Sequence, residues 1–255
     1  MTANSTPARP HNWGTFGPDD ELGTLNYLTA EAVLRGTRSV VTGERYTLNL
    51  PLDTPRSAAS GEPLFKPGGA AYAKRSFRRI AGRGVLLDIA RMISGGSADP
   101  LPADFRCTPE LTKCCIQHEG VEIMPGDIVC FRTGWIESYL AAEQDEQDRM
   151  GLLPDGSFRP SPGITSDHAP LADTARWAAV AADNPGIEAM PLSHPLQSAH
   201  VRMLRNLGMP FGELLHLASL AEAAAADRRW DFLFVAVPLW IPGGAGSPAN
   251  AMAIR

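Results

Sequence analysis

At 255 residues, with 44% hydrophobic and 20% charged content, the chain is long enough to bury a large core and has the composition of an ordinary globular protein. A net charge of −5 at pH 7, with no basic run beyond the local cluster Arg75, Arg78, Arg79 and Arg83, argues against nucleic acid as the partner. No apolar run approaches the length of a membrane span and the first 13 residues lack an apolar signal core, so the cytoplasm is the expected compartment.

Residues 1–11 read as a loose polar segment and residues 12–255 as one domain. Asn12–Leu28 mixes aromatics, glycines and the triplet Asp19-Asp20-Glu21, either a charged helix start or a polar rim. Trp13 and Phe16 either pack there or line a pocket for an aromatic substrate. Thr29 is the expected N-cap of a helix beginning at Ala30. Arg45–Leu52 alternates as a strand does, and residues 53–69, rich in Pro, Gly and Ser, read as a loop. Gly84–Ala90 suits a strand buried on both faces. Thr108 and Pro109 predict the start of a helix over 108–118.

Of the four cysteines, Cys107, Cys114, Cys115 and Cys130, no CxxC pair suggests a zinc knuckle, and all read as free thiols with Cys130 in a strand core. Met124–Trp135 reads as a turn, a strand and a Thr-Gly exit. Trp135 is there either core or pocket wall. A charged helix over 137–149 and an exposed loop over 154–162 follow. The Ala-rich run Ala172–Asp183 predicts a helix and Gly186–Leu192 a strand. Pro195–Met209 and Leu217–Ala226 read as helices, and Asp231–Ile241 as a core strand before a Gly-Pro loop. Strands mixed with helices, without strict βαβ alternation, give an α/β fold: a single compact domain with a mixed sheet.

Candidate chemistry narrows by elimination. There is no GxxxxGK[ST], no GxGxxG after a strand and no GxSxG elbow. His11 and His118 read as surface residues, and Asp167-His168 as a helix cap and its neighbour. His194 precedes Pro195 after a strand, where loops of α/β folds often carry function. His200 shares a helical face with Leu196, Met203, Leu204 and Leu207, so it points to a buried side, where a histidine needs a hydrogen-bond partner or a metal. Glu213 follows the turn LGMPFG and is placed to fold back to the same region. An imidazole and a carboxylate so placed can hold a divalent cation, but protein sites usually supply three or four ligands.

Six stretches, taken in order, resemble the cyclase family that includes kynurenine formamidases and isatin hydrolase. They are NWGTFGPDDELGTLNYLT, GRGVLLDIAR, PGDIVCFRTGW, ADNPGIEAMPLSHP, HVRMLRNLGMPFGELLHL and DFLFVAVPLWIPGGAGSPANAMAI. The entry segment resembles the family's longer branch. The resemblance implies a swivelling β/β/α fold and hydrolysis of an aryl amide or cyclic amide by metal-activated water, with zinc or manganese. It implies a small-molecule amide substrate and a homo-oligomer, a dimer or larger. His200 and Glu213 match the family's later His and Glu metal ligands, and Trp13, Phe16, Trp135 and His194 are the candidates for the substrate pocket.

In the family most of the ligands and a catalytic histidine come from an H-x-G-T-H-x-D-x-x-x-H segment. That segment has no match here. Between Leu52 and Gly82 the chain contains no histidine and only Asp53 and Glu62 as carboxylates, which implies an internal deletion near residues 65–69. Three accounts stay open: a degenerate member retained for binding or assembly, a segment missing from this reading of the gene, or new ligands drawn from His194, His168 or Asp167. The catalytic residue is unassigned.

Overall fold

The structure is a computed structural model and describes residues 11–51, 54, 80–150, 159–192, 194–239 and 246–255. The expected loose N-terminal segment (save His11) and the junction at 65–69 lie outside those residues. So do most of the loops expected over 53–69 and 154–162.

Among the described residues, nine strands alternate with helices. The strands are β1 (Arg45–Thr47), β2 (Ile80–Asp88), β3 (Arg106–Cys107), β4 (Ile128–Arg132), β5 (Gly163–Ile164), β6 (Ala179–Ala182), β7 (Phe211–Gly212), β8 (Asp231–Ala236) and β9 (Ala251–Ile254). Seven of them form one mixed sheet in the order β1-β9-β8-β2-β4-β6-β7. β2, β4, β6 and β7 run parallel, while β8 pairs antiparallel with β2 and β9, and β9 with β1. β3 and β5 form a separate parallel pair. This is the mixed-sheet α/β domain the sequence predicts.

Alternate residues of the central strands feed two cores, because successive side chains in a strand point to opposite faces. Val85, Leu87, Val129, Phe131 and Val180 pack on one side with Cys107, Cys115, Trp177 and Met203. Leu86, Ile128, Cys130 and Ala181 pack on the other with Leu217, Leu220, Phe232 and Phe234. Cys130 is in a strand core, as expected, and Cys114 is exposed.

The helices are α1 (Ala30–Arg38), α2 (Ile89–Ile93), α3 (Pro109–Glu119), α4 (Trp135–Ala141), α5 (Gln144–Met150), α6 (His168–Thr174) and α7 (Ala218–Asp227). Their capping chemistry follows the sequence. Thr29 Oγ1 accepts from the Ala32 N–H at 3.2 Å, and Thr108 Oγ1 from the Leu111 N–H at 3.4 Å ahead of Pro109. Asp20 acts as a start signal too: its carboxylate accepts from the Leu22 and Gly23 N–H groups and from Asn26 Nδ2, closing a 3₁₀ turn over Gly23–Tyr27. No helix among the described residues is long and apolar enough to cross a membrane.

Six expectations are corrected. The strand from Arg45 ends at Thr47 rather than Leu52, and Ala90 belongs to α2 rather than to the strand before it. The helix expected over 137–149 is two helices, α4 and α5. Of the helix expected over Ala172–Asp183 only residues 172–174 are helical, as the end of α6: the chain then passes through Arg176 at φ 54° and becomes β6, all four of whose residues are buried. Gly186–Leu192 is not a regular strand; it makes only isolated bridges, Ile164 to Glu188 and Ser161 to Met190. Finally, Pro195–Met209 is a 3₁₀ turn (Pro195–Gln197) and then a π-helix (His200–Arg205), so the α-helical face assumed for His200 does not exist. Leu196 is 65% exposed, whereas Met203 and Leu207 are fully buried.

The entry segment straps this π-helix to the body. The Asn12 N–H donates to the Asn206 carbonyl at 3.3 Å and Asn12 Nδ2 to the Leu207 carbonyl at 2.6 Å. Gly23 (φ 58°) and Gly208 (φ 63°) meet backbone to backbone, and a Cβ on Gly23 would lie 2.3 Å from the Gly208 carbonyl oxygen. Gly23→Ala is therefore expected to cost about 1–3 kcal/mol through overpacking, measured as a lower urea midpoint. An unchanged midpoint would mean that the strap does not pack this way.

Candidate functional site

The carboxyl ends of the parallel strands form a line of polar residues, buried save for the half-buried Glu213, at the edge where open α/β sheets place their ligands. Asp88 closes β2, Arg132 and Thr133 leave β4, Asp183 and Asn184 leave β6, and Glu213 follows β7. The Asp183 carboxylate accepts from the Thr133 N–H and Oγ1 and from the Gly134 N–H at 2.7–3.0 Å. Burial pushes its pKa upward, with the Glu137 charge adding to the effect and these donors opposing it.

His200 and Glu213 are brought together on this edge. His200 Nε2 lies 3.4 Å from Glu213 Oε1, and the imidazole meets Phe211 edge-on at 5.1 Å between ring centroids. The two reach the same place from different elements, His200 from the first position of the π-helix and Glu213 from the bend after β7. The Leu214 N–H donates to the Asn184 carbonyl and the Leu215 N–H to the Ala182 carbonyl, and these bonds fix that bend against the end of β6. The His200 side chain is 40% exposed, so the pair opens to solvent rather than lying in the core.

A third group completes the arrangement and was not anticipated. Glu188, only 2% exposed, places Oε1 2.6 Å from His200 Nδ1. Burial opposes a charge on His200, but the hydrogen bonds and negative charges of Glu188 and Glu213 outweigh it and raise its pKa to about 9. A lone carboxylate inside the apolar run GIEAMPL was the one available signal, since a buried charge needs partners.

The other expected residues are not gathered here. Trp13 is 58% exposed and lies under the Arg205 guanidinium, 5.8 Å from the ring centroid. Phe16 packs edge-on against Tyr27. Trp135 is buried, stacked on Tyr139, and belongs to a small core cluster with Leu214. His194 is exposed. His168 is buried with Nε2 2.8 Å from Thr112 Oγ1, and burial lowers its pKa to about 4. Asp167 pairs with Arg202. A cleft of about 510 Å³ opens among Leu101, Trp135, Met150 and Arg159, and neither His200 nor Glu213 lines it.

Among the described residues no group of three or more His, Cys, Asp or Glu is placed to hold a metal ion. Glu188 does not serve as a ligand, because both its oxygens face inward: Oε2 accepts from the Ala199 N–H at 2.6 Å, and Oε1 takes His200 Nδ1 and the His200 N–H. His200 Nε2 and the Glu213 carboxylate do fit a divalent cation in kind, one nitrogen and one oxygen donor converging at the open edge.

Comparison with known proteins places this geometry. A crystal structure described as a novel cyclase is 27% identical and superposes with a TM-score of 0.75, covering 96% of this chain and 99% of its own. Isatin hydrolase A from Labrenzia aggregata, bound to benzyl benzoate, is 19% identical at a TM-score of 0.58, over 85% of this chain and 94% of its own. A structure described as a potential metal-dependent hydrolase with cyclase activity is 17% identical at 0.50, over 82% and 96%. The fold is thus the cyclase-like one that the sequence resemblance implies. No curated protein matches the chain. The model of the Cyclase family matches residues 52–189, more than half of the chain, and the chain belongs to that family.

Proposed function

We propose that this protein is a hydrolase that opens the carbon–nitrogen bond of an aryl amide or a cyclic amide, with zinc or manganese held by His200 and Glu213. The observation that carries the reading is the convergence of His200 Nε2 and Glu213 Oε1, 3.4 Å apart, at the carboxyl edge of the parallel strands. Two structural relatives, named an isatin hydrolase and a potential metal-dependent hydrolase, support it. A divalent cation at such a pair lowers the pKa of bound water from about 16 to near 7 and polarises the carbonyl under attack. The chain itself contributes the two donors and a bend fixed by the Leu214 and Leu215 hydrogen bonds. A homo-oligomer and a cytoplasmic setting belong to the same proposal.

One observation favours a second reading, a binding or subunit protein on the same frame. Two donors are fewer than the three or four of a stable site, and the stretch Leu52 to Gly82 has no histidine to add. Metal content decides between the two. The purified protein is expected to carry about one zinc or manganese per chain, and Glu213→Ala to carry none. If neither protein binds metal, hydrolysis by this route is ruled out for this chain and the binding reading stands.

A further inference from the structure

The carboxylate behind His200 does more than neutralise it. Glu188 lies on a backbone held from several sides. Ile164 bridges to it, the Ala189 N–H donates to the Ile164 carbonyl at 3.0 Å, and Asn184 Nδ2 donates to the Glu188 carbonyl at 3.4 Å. A Cβ on Gly163 would lie 2.5 Å from the Glu188 carbonyl carbon, so β5 passes directly against this residue. The preceding Ile187 sits at φ 59°. That left-handed conformation is costly for a β-branched residue and persists only where the surroundings impose it.

All the contacts of the Glu188 carboxylate point one way. Its two oxygens accept from the Ala199 N–H, the His200 N–H and His200 Nδ1, and thereby hold the start of the π-helix and its first side chain together. A carboxylate has no proton to donate at neutral pH, so the 2.6 Å contact requires the proton on Nδ1. With Nδ1 committed inward, Nε2 is the nitrogen left facing Glu213 at 3.4 Å.

We propose that Glu188 is a positioning residue that fixes the His200 imidazole with Nδ1–H inward and Nε2 outward, so that the outward nitrogen is the one that meets a divalent cation. The use of that nitrogen rests on the metal reading above; the orientation itself does not. A π-turn at this point fits the same role, since such turns recur at functional sites, and here it brings the His200 N–H and ring onto one carboxylate.

Two readouts on the full chain test this. In nitrogen-15 NMR of the metal-free protein, His200 is expected to show a slowly exchanging Nδ1–H proton shifted far downfield, absent in Glu188→Gln. In a zinc titration against a chromophoric chelator, Glu188→Gln is expected to weaken zinc binding about 10–100-fold, the loss typical when a ligand's outer hydrogen-bond partner is removed. Glu188→Asp, with the charge kept one methylene short, serves where the glutamine variant does not fold and is expected to retain the Nδ1–H signal with intermediate zinc affinity. A fast-exchanging or absent Nδ1–H in the unaltered protein overturns the proposal, as does zinc binding by Glu188→Gln equal to that of the parent. If the parent shows the Nδ1–H signal but binds no zinc, the metal reading falls while the positioning role is upheld.

Discussion

Arg132→Met is expected to destabilise the protein by about 3–5 kcal/mol, because it strands a buried carboxylate without its principal counter-ion. Asp88 is 1% exposed and Arg132 2%, and Arg132 Nη1 lies 2.8 Å from Asp88 Oδ1. The same guanidinium reaches Glu137 Oε1 at 2.8 Å and the Ala98 carbonyl at 3.1 Å, so three acceptors lose their donor at once. Arg91 still contacts Asp88 Oδ2 at 3.1 Å and limits the damage. The charge of Arg132 is secure in the native state: burial opposes it, but Asp88 and Glu137 raise its pKa further. Urea unfolding measures the effect. Glu222→Ala is the contrast: it removes a carboxylate that pairs with Arg91 from a position 62% exposed, where an ion pair contributes at most about 1 kcal/mol. Equal losses in the two variants would show that burial does not set the cost here.

The same edge of the sheet shows what a sequence discloses and what it conceals. Local chemistry was legible: Thr29, and Thr108 with Pro109, announce helix starts because a side-chain oxygen satisfies a free backbone N–H wherever the helix sits. The alanines of β6 were not legible as a strand. Alanine favours a helix in isolation, yet as an inner strand next to the β7 edge β6 pairs with β4 and β7 and is buried on both faces, where small side chains let the cores on either side close. Tertiary context overrode propensity. β9 was hidden behind a Gly-Pro loop and is defined by its pairing with β8 and β1, partners remote in sequence from at least one of its neighbours.

The candidate site divides in the same manner. His200 and Glu213 were found through a family resemblance rather than through periodicity, and the helical face first assigned to His200 gives way to a π-turn. Glu188 escaped notice because its partners, the N–H groups of Ala199 and His200 and the imidazole, are placed by the chain folding back after Pro191. Of the aromatic candidates, Trp13 lies under Arg205 and Phe16 packs on Tyr27, while Trp135 is buried against Tyr139 and also lines the cleft beside Leu101.

Glu119→Gln is expected to stabilise the protein at alkaline pH and to leave it almost unchanged at pH 5. Burial pushes the Glu119 carboxyl up from its ordinary 4.5 to about 8, and the negative charge of Asp88 adds to the effect. Its Oε1 accepts from the Asp88 N–H at 2.8 Å, and that bond together with the Cys115 thiol offsets the burial only in part. The sign follows from proton counting. Between about pH 4.5 and 8 the folded chain holds this proton and the unfolded chain does not, so stability falls as pH rises through that window. Glutamine cannot ionise and its carbonyl keeps the acceptor for Asp88, so the variant should gain about 2–4 kcal/mol over its parent by pH 9. His168 sets the opposite limit. Its pKa is lowered by burial to about 4, so the unfolded chain takes up a proton first as pH drops below about 6.5, and stability falls towards pH 4 in parent and variant alike. Urea unfolding at pH 5, 7 and 9 separates the two groups: a gap between parent and Glu119→Gln that widens from pH 5 to 7 and again to 9 assigns the loss to Glu119, and a gap that is constant across the three values removes that assignment.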